Sequence, residues 1–297
     1  MKFIWNHAYL LMVLTALAWS GNGITGRGLN EIIPPIGLAF WRWVVAFPIV
    51  MIIAWPHLQK DLPKVLENWF ILLVLSVLSI SIYNTLLYYG LHSTTAINAL
   101  LINTARPVVI VLLSILFFRQ GINLKQSLGF LLASIGTLVI IIKAEISRFI
   151  SLDINEGDLW VLLAMVCWAL FTVLLKKRPN MHPTSFIAVT IFIGGLILFP
   201  FYIWETIYVK PTPFVAETIG GVLYLAIFAT IVAYLFYNRA VEISGANKAG
   251  QVSYILPIIG STLAVIILDE KFEFYHAIGF AFILFGIYFG SKGKGIS

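Results

Sequence analysis

The sequence predicts an all-α integral membrane protein with ten transmembrane helices, arranged as two inverted repeats of five helices each. Three observations predict this fold. Of the 297 residues, 60% are hydrophobic and only 11% are charged, and no water-facing surface can be built from that mixture. The apolar residues form runs of about 20, the length of a spanning helix. Finally, Pro and Gly residues recur at an offset close to 150 residues. The composition excludes a soluble enzyme, a disordered chain and a nucleic-acid-binding protein.

Ten apolar runs are separated by charged residues or by Pro and Gly clusters. We expect spans at residues 8–29, 35–55, 68–90, 95–118, 123–142, 157–176, 183–204, 218–241, 245–268 and 273–291. An arrangement of eight spans, with one pair of runs merged or miscounted, is the main alternative.

The distribution of Lys and Arg predicts the orientation, because these residues are enriched in cytoplasmic connections. With the N-terminus inside, 12 of the 19 Lys and Arg residues lie on the inner side, 5 lie on the outer side, and Arg42 and Arg106 fall within spans. Both termini are therefore predicted to be cytoplasmic, in a multi-pass protein of the inner (plasma) membrane.

The two halves of the chain match each other in register. Pro107 corresponds to Pro257, and the glycine pair Gly129 and Gly136 corresponds to Gly279 and Gly286. Each half has an odd number of predicted spans, so the second copy must enter the bilayer from the opposite side. Inverted repeats of this kind underlie many secondary transporters, with the substrate site near the midplane. We expect one repeat over residues 1–150 and the other over residues 151–297. The glycine pairs are predicted to permit close helix packing.

One pattern occurs in both halves: an aromatic and small-residue run, a proline within the next helix, a polar residue at the end of that helix, and two glycines seven apart. It covers Tyr88 to Gly136 and Tyr237 to Gly286. This pattern resembles the drug/metabolite transporter (DMT) superfamily, specifically its ten-span EamA-type family. The second copy carries Glu270 at the end of the helix, whereas the first copy departs from the pattern with Gln120. The resemblance implies ten helices, cytoplasmic termini and transport of small metabolites, usually export.

Ionisable residues deep inside a span indicate function, because burying them in lipid is costly. Arg106 lies at the centre of the fourth predicted span, directly before Pro107. We expect it to face an aqueous cavity and to bind a substrate carboxylate or phosphate through its planar guanidinium group. For Arg42, in the second span, an interfacial position between Trp41 and Trp43 is at least equally favoured.

Polar amides and aromatic residues gather on the same spans as Arg106, and most should point inward, away from lipid. Bonding between helices is the alternative role for half of them. The predicted substrate-binding residues are Arg106, Trp19, Asn22, Tyr83, Asn84, Tyr88, Asn103, Trp168, Tyr234, Tyr237 and Gln251. Pro107 and Pro257 are predicted to kink their helices and to shape the cavity.

Aromatic walls, a few amides and one cation are typical of a pocket for a small solute with an anionic group. The sequence thus predicts a secondary transporter that exports small organic metabolites, namely amino acids or related carboxylate-bearing solutes, by alternating access. The alternatives are an efflux transporter of organic cations or drugs, and a membrane scaffold or receptor that transports nothing. Proton coupling and facilitated diffusion both stay open.

No catalytic or cofactor signature accompanies these features. The sequence has no phosphate-binding glycine loop, its five histidines lack metal-ligand spacing, and its single cysteine, Cys167, excludes a disulfide framework. We therefore expect no enzyme activity, no cofactor, no metal and no nucleic-acid partner. The expected partners are a small-molecule substrate and the lipid bilayer, with a homodimer left open.

Overall fold

A computed structural model describes residues 5–118, 124–145, 154–244 and 252–291. Within these ranges the regular secondary structure is helical, and no strand occurs. The helices of the N-terminal half (residues 1–150) are α1 Ala8–Gly28, α2 Pro35–Glu67, α3 Trp69–Ser93, α4 Ala96–Thr104, α5 Arg106–Phe118 and α6 Leu124–Ile141. Those of the C-terminal half are α7 Glu156–Leu174, α8 Pro183–Tyr208, α9 in the three parts Ala216–Ala226, Ile227–Val232 and Ala233–Ser244, α10 Val252–Leu268 and α11 Phe274–Ser291.

Local sequence signals set several helix starts. Pro35 and Pro183 occupy the first positions of α2 and α8, where a missing N–H costs nothing. The side chain of Thr95 accepts a hydrogen bond from the backbone N–H of Asn98 at the start of α4, and Asn155 accepts one from Gly157 at the start of α7. Such caps satisfy backbone donors that have no partner within the helix.

The helices are long and apolar enough for a multi-pass membrane protein. Among the described residues, six helices have the length and composition to cross a bilayer, and α4 with α5, bent by 42° at a short break, makes a seventh if the pair is one span. The shorter apolar helices α6, α10 and α11 each border residues outside the described ranges. The count of ten spans therefore stays a prediction.

Two helices contain a π-helical segment at the same relative place. Val77–Ile82 is π-helical within α3, and Ile227–Val232 is π-helical within α9. The two segments are separated by the same 150 residues that relate the repeated prolines and glycines. Single π-turns inside α-helices occur frequently at functional sites.

Glycines bring α6 and α11 into close contact across the two halves of the chain. A Cβ atom added to Gly136 would lie 2.5 Å from the carbonyl oxygen of Gly279, and one added to Gly286 would lie 2.6 Å from that of Gly129. The contact is reciprocal, since each half contributes one glycine of each pair. The predicted role of these glycines in close helix packing is confirmed.

One end of the bundle is held together by carboxylates of the C-terminal half, and we call it the carboxylate end. Glu205, near the end of α8, accepts hydrogen bonds from the backbone N–H groups of Ile36 (3.0 Å) and Gly37 (2.6 Å) in the first turn of α2. Glu270, after α10, accepts from Ala96 (2.7 Å) and Ile97 (3.0 Å) in the first turn of α4. Helix N-termini favour such negative charges.

A second polar cluster joins the two halves at the same end. Thr94 donates a short hydrogen bond to Asp158, and the amide of Asn98 donates to both oxygens of that carboxylate at 3.2 and 3.3 Å. A ring nitrogen of His276 lies 2.8 Å from the amide oxygen of Asn98. Arg27 lies 3.9 Å from Glu270 and donates to the carbonyl of Leu91.

At the opposite end of α2 there is a similar contact, in which α2 supplies the carboxylate and the start of α8 supplies the backbone N–H group. Asp61 of α2 accepts a hydrogen bond of 2.8 Å from the backbone N–H of His182, which precedes α8. Thus α2 and α8 each carry a carboxylate near their C-terminus that binds the N-terminal backbone of the other helix. We call this second end the Asp61 end.

The glycine contact between α6 and α11 yields a stability prediction. Gly136→Ala places a methyl group against the backbone of α11, and we expect it to lower the free energy of unfolding by about 1–3 kcal/mol, the usual range for overpacking. The matched control is Gly220→Ala, where nothing lies within 4 Å of the added Cβ and the better helix propensity of Ala makes the change neutral or stabilising. Thermal unfolding in detergent measures both. Equal stability of the two variants would contradict the proposed contact.

Candidate substrate site

Arg42 is the centre of a buried polar cluster formed by four helices. It lies on α2, and its side chain is buried. Its Nη1 donates to Asn22 of α1 at 3.0 Å and to Asn84 and Tyr88 of α3 at 2.8 and 2.9 Å. Its Nε and Nη2 both donate to the hydroxyl of Thr230 on α9, at 3.2 and 3.0 Å. All of these acceptors are neutral oxygens.

The partners of Arg42 are themselves fixed by further hydrogen bonds. The hydroxyl of Tyr88, which is fully buried, donates to Asn22 at 2.8 Å. Asn84 donates to the carbonyl of Ser79, and Thr230 donates to that of Leu225. Both of these bonds reach five residues back: Ser79 lies in the π-helical part of α3, and Thr230 itself lies in the π-helical part of α9. The π-helical segments thus take part in orienting the ligands of the guanidinium group.

Arg106, the predicted anion-binding residue, lies in a second cluster on the other side of α3. Its Nη2 donates to the hydroxyl of Tyr83 at 3.1 Å and to Asn103 at 2.5 Å. Its guanidinium carbon lies 5.6 Å from the ring centre of Tyr83 and 5.5 Å from that of Trp168. The Nε–H is buried, and no acceptor among the described residues lies within hydrogen-bonding distance.

The two clusters are held at nearly the same depth. Tyr83 binds Arg106, and the next residue, Asn84, binds Arg42. Neighbouring residues of a helix differ by only about 1.5 Å along its axis. Both residues fall in the middle third of α3, so both guanidinium groups are attached to that helix far from its ends.

Aromatic rings on α1 and α9 complete the arrangement. The ring of Trp19 lies 6.1 Å from that of Tyr234, with an edge-to-face orientation, and 5.4 Å from that of Tyr237. Tyr234 follows Thr230 by one helical turn and lies within electrostatic reach of both Arg42 and Arg106. It therefore links the aromatic group to the two guanidinium clusters.

The structure thus places most of the predicted site residues in three adjoining groups. Tyr83, Asn103 and Trp168 surround Arg106, as expected. Asn22, Asn84 and Tyr88 instead bind Arg42. Gln251 lies outside the described residues.

The two predicted cavity-shaping prolines differ in their settings. Pro107 is the second residue of α5, next to the 42° bend that separates α4 from α5. Pro257 is buried within α10, and the hydroxyl of Ser20 donates to the carbonyl of the preceding Leu256 at 3.0 Å.

A groove of about 460 Å³ lies at the Asp61 end, lined in part by His57, Lys64 and His182. An aqueous chamber at mid-membrane depth stays a prediction.

Sequence reasoning missed Arg42 and Thr230 as site residues. Arg42 does stack on Trp43, with 4.7 Å between the guanidinium carbon and the ring centre, but its side chain enters the interior rather than an interface. The available signal was the number of amides and hydroxyls on the neighbouring spans, which exceeds what one cation can use.

The described interior carries two positive charges and no negative charge close to them. Among the described residues, the ion pairs within 4 Å join Arg27 to Glu270 and Lys64 to Asp61, both at the ends of the bundle. No described carboxylate pairs with Arg42 or Arg106. Arginine keeps its proton in proteins, so both charges persist.

A polytopic helical bundle with such a polar interior defines the class of multi-pass membrane transporters. Comparison with known proteins agrees. The EamA-like transporter family matches this chain twice, over residues 6–142 and 155–291. The chain belongs to the EamA-like transporter family of the DMT superfamily. It is a membrane transporter and not an enzyme.

Similar proteins come from archaea, bacteria and plants. An uncharacterized transporter of Archaeoglobus fulgidus is 30% identical over 95% of this chain and 96% of its own length. The uncharacterized transporter YyaM of Bacillus subtilis is 25% identical over 85% of this chain and 83% of its own. A chloroplastic WAT1-related protein of Arabidopsis thaliana is 23% identical, covering 88% of this chain and 64% of the plant protein.

A solved structure has the same fold. One crystal structure superposes with a TM-score of 0.61 and covers 95% of both chains at 18% sequence identity. At that identity the likeness shows the fold alone.

The Arg42 cluster yields a second stability prediction. Tyr88→Phe removes a hydroxyl that accepts from Arg42 and donates to Asn22, and we expect a loss of about 1–3 kcal/mol, the usual cost of leaving a buried polar group without its partner. Tyr89→Phe is the matched control, because that neighbouring side chain is 48% exposed and should lose less than about 0.5 kcal/mol. Chemical or thermal unfolding in detergent compares them. An equal loss in both variants would argue against a buried cluster.

Proposed function

We propose that this protein is a secondary transporter that exports amino acids or related carboxylate-bearing solutes by alternating access. The observation that carries the proposal is the pair of guanidinium groups on either side of α3, with the buried Nε–H of Arg106 left without a protein acceptor. A carboxylate is the natural ligand for a guanidinium group with free donors. The remaining predicted residues, with Gln251 among them, would form the aromatic and amide walls.

Alternating access requires two nearly equivalent halves, and several observations support ten helices in two inverted repeats over residues 1–150 and 151–297. The family matches once in each half. The π-helical segments stand 150 residues apart. The glycine contact of α6 with α11 and the carboxylate contacts of α2 with α8 are both reciprocal. A pseudo-twofold axis in the membrane plane would produce such reciprocity.

The orientation follows from the predicted topology. With both termini in the cytoplasm, the carboxylate end faces outward and the Asp61 end faces inward. The hydrogen bonds of Glu205, Glu270 and Asp158 across the two halves would then close the outer side in this conformation. Opening that side requires their release. We place the protein in the inner (plasma) membrane, where it acts as a monomer or a homodimer.

Organic cations are the alternative substrates, and the described interior does not favour them. Exchange of a proton for a cation usually needs a carboxylate within the membrane. The described carboxylates that make hydrogen bonds, such as Asp158, Glu205 and Glu270, lie at the ends of the helices.

The first functional prediction concerns Arg106. In proteoliposomes that exchange labelled amino acids for unlabelled ones, Arg106→Ala should lower the initial rate by tenfold or more, because a charge-assisted hydrogen bond contributes about 1.5–3 kcal/mol. Arg106→Lys keeps the charge but loses the planar guanidinium group, so we expect an intermediate rate.

The control for this experiment is Arg178→Ala, which removes an exposed arginine in the connection before α8 and should leave the rate unchanged. An Arg106→Ala protein that elutes as a single species and still transports at the wild-type rate would remove Arg106 from the site. Flux of cationic dyes without flux of amino acids would reverse the substrate class.

The second functional prediction concerns the carboxylate end. Glu270→Gln leaves one oxygen for two backbone N–H groups, so this end should open more often. A cysteine introduced as Ala99→Cys, at a buried position of α4, should react with a polar maleimide about fivefold faster, as expected for the loss of about 1 kcal/mol. The background is Cys167→Ser, which removes the single natural cysteine.

Glu273→Gln is the control, since this exposed carboxylate lies only three residues further along. Faster labelling in the Glu273→Gln protein, or an unchanged labelling rate in the Glu270→Gln protein, would show that Glu270 does not hold this end closed.

A further inference from the structure

The interior of the protein gives a solute's positive and negative groups very different surroundings. Two guanidinium groups, Arg42 and Arg106, are attached to neighbouring residues of α3, and no described carboxylate pairs with either. Neutral oxygens from Asn22, Asn84, Tyr88 and Thr230 satisfy the hydrogen bonds of Arg42 but leave its charge in place. In a low-dielectric interior, charges that are not neutralised interact strongly with any charge brought near them.

Three aromatic rings beside the two guanidinium groups, Trp43, Tyr83 and Trp168, already hold a cation. A cation binds favourably over an aromatic ring within about 6 Å of its centre. The guanidinium group of Arg42 occupies such a position over Trp43, and that of Arg106 lies near both Tyr83 and Trp168. An ammonium group entering this region would meet two like charges and no carboxylate.

Tyr234 marks the place where the two charges act together. It lies one turn beyond Thr230, the ligand of Arg42, and within electrostatic reach of both guanidinium groups. Its ring also contacts Trp19. A solute beside Tyr234 would therefore experience both positive charges at once.

We propose that Arg42 and Arg106 together select solutes with a net negative charge, so that dicarboxylates and acidic amino acids are preferred over zwitterionic amino acids. This inference rests on the proposed function and narrows its substrate class. Arg42 acts as a fixed charge, because nearly all of its donors already have protein partners. Arg106 contacts the anionic group directly, because its buried Nε–H has none among the described residues. For a zwitterion, the attraction between the two guanidinium groups and its carboxylate is offset by their repulsion of its ammonium group.

The experiment compares five-carbon solutes that differ mainly in charge. Proteoliposomes are loaded with unlabelled solute at pH 7, and counterflow of labelled glutarate, glutamate, glutamine and cadaverine is measured with the membrane potential clamped. We expect rates to fall in that order, with glutarate at least tenfold faster than glutamine and with no cadaverine flux.

Charge variants test whether the two arginines cause this order. Arg42→Gln and Arg106→Gln should each reduce the ratio of glutarate to glutamine rates by about tenfold. Arg42→Lys keeps a positive charge and should retain most of the ratio even where Arg42→Gln does not fold. Arg178→Ala removes an exposed positive charge outside the cluster and should leave the ratio within about twofold. A purely structural role of Arg42 would instead slow both solutes alike and leave the ratio in folded Arg42→Gln protein unchanged.

The possible failures are distinct. Flux of glutamine equal to or faster than glutarate in the wild-type protein, or a ratio unchanged in folded Arg106→Gln and Arg42→Gln proteins, would overturn the inference and leave the proposed transport of carboxylates intact. Absence of flux for every carboxylate, in protein that elutes as a single species, would overturn the proposed function itself.

Discussion

The rest of the structure depends on one buried guanidinium group held by uncharged oxygens. Arg42 lies on α2 and binds ligands from α1, α3 and α9. It therefore fixes the relative positions of elements from both halves of the chain. Hydrogen bonds of this kind stabilise helix association in membranes, where apolar burial provides little drive. The arrangement brings amides and hydroxyls of α1, α3 and α9 together around one guanidinium group.

The two interior arginines are separated along the bundle from the carboxylates that bind helix N-termini. Two arginines occupy the middle of the bundle, whereas the carboxylates that bind helix N-termini, Asp61, Glu205 and Glu270, stand at its ends. Each of these carboxylates joins elements from different halves of the chain. The ends are therefore held by local electrostatic contacts with helix dipoles, which can be made and broken without disturbing the central cluster. That separation would suit the alternating access proposed above.

Sequence reasoning identified the helices, the paired glycines and most members of the polar interior, because apolar run length and residue type carry that information. It predicted Asn22, Asn84 and Tyr88 as substrate-binding residues but gave no indication that they bind Arg42. Periodicity shows which residues point inward along one helix, but it does not show which helices become neighbours. For the same reason the sequence indicated Glu270 at a helix end but not the helix start that it binds.

The π-helical segments of α3 and α9 determine which way the side chains that follow them point. A π-helical turn contains one residue more than the α-helical turn it replaces, so every side chain beyond it is rotated by about 100° relative to a regular helix. Without that extra residue, Asn84 would point away from Arg42, and Tyr234 would leave the side of α9 that carries Thr230. The two π-helical segments, 150 residues apart, therefore rotate the side chains of corresponding parts of α3 and α9 by the same amount.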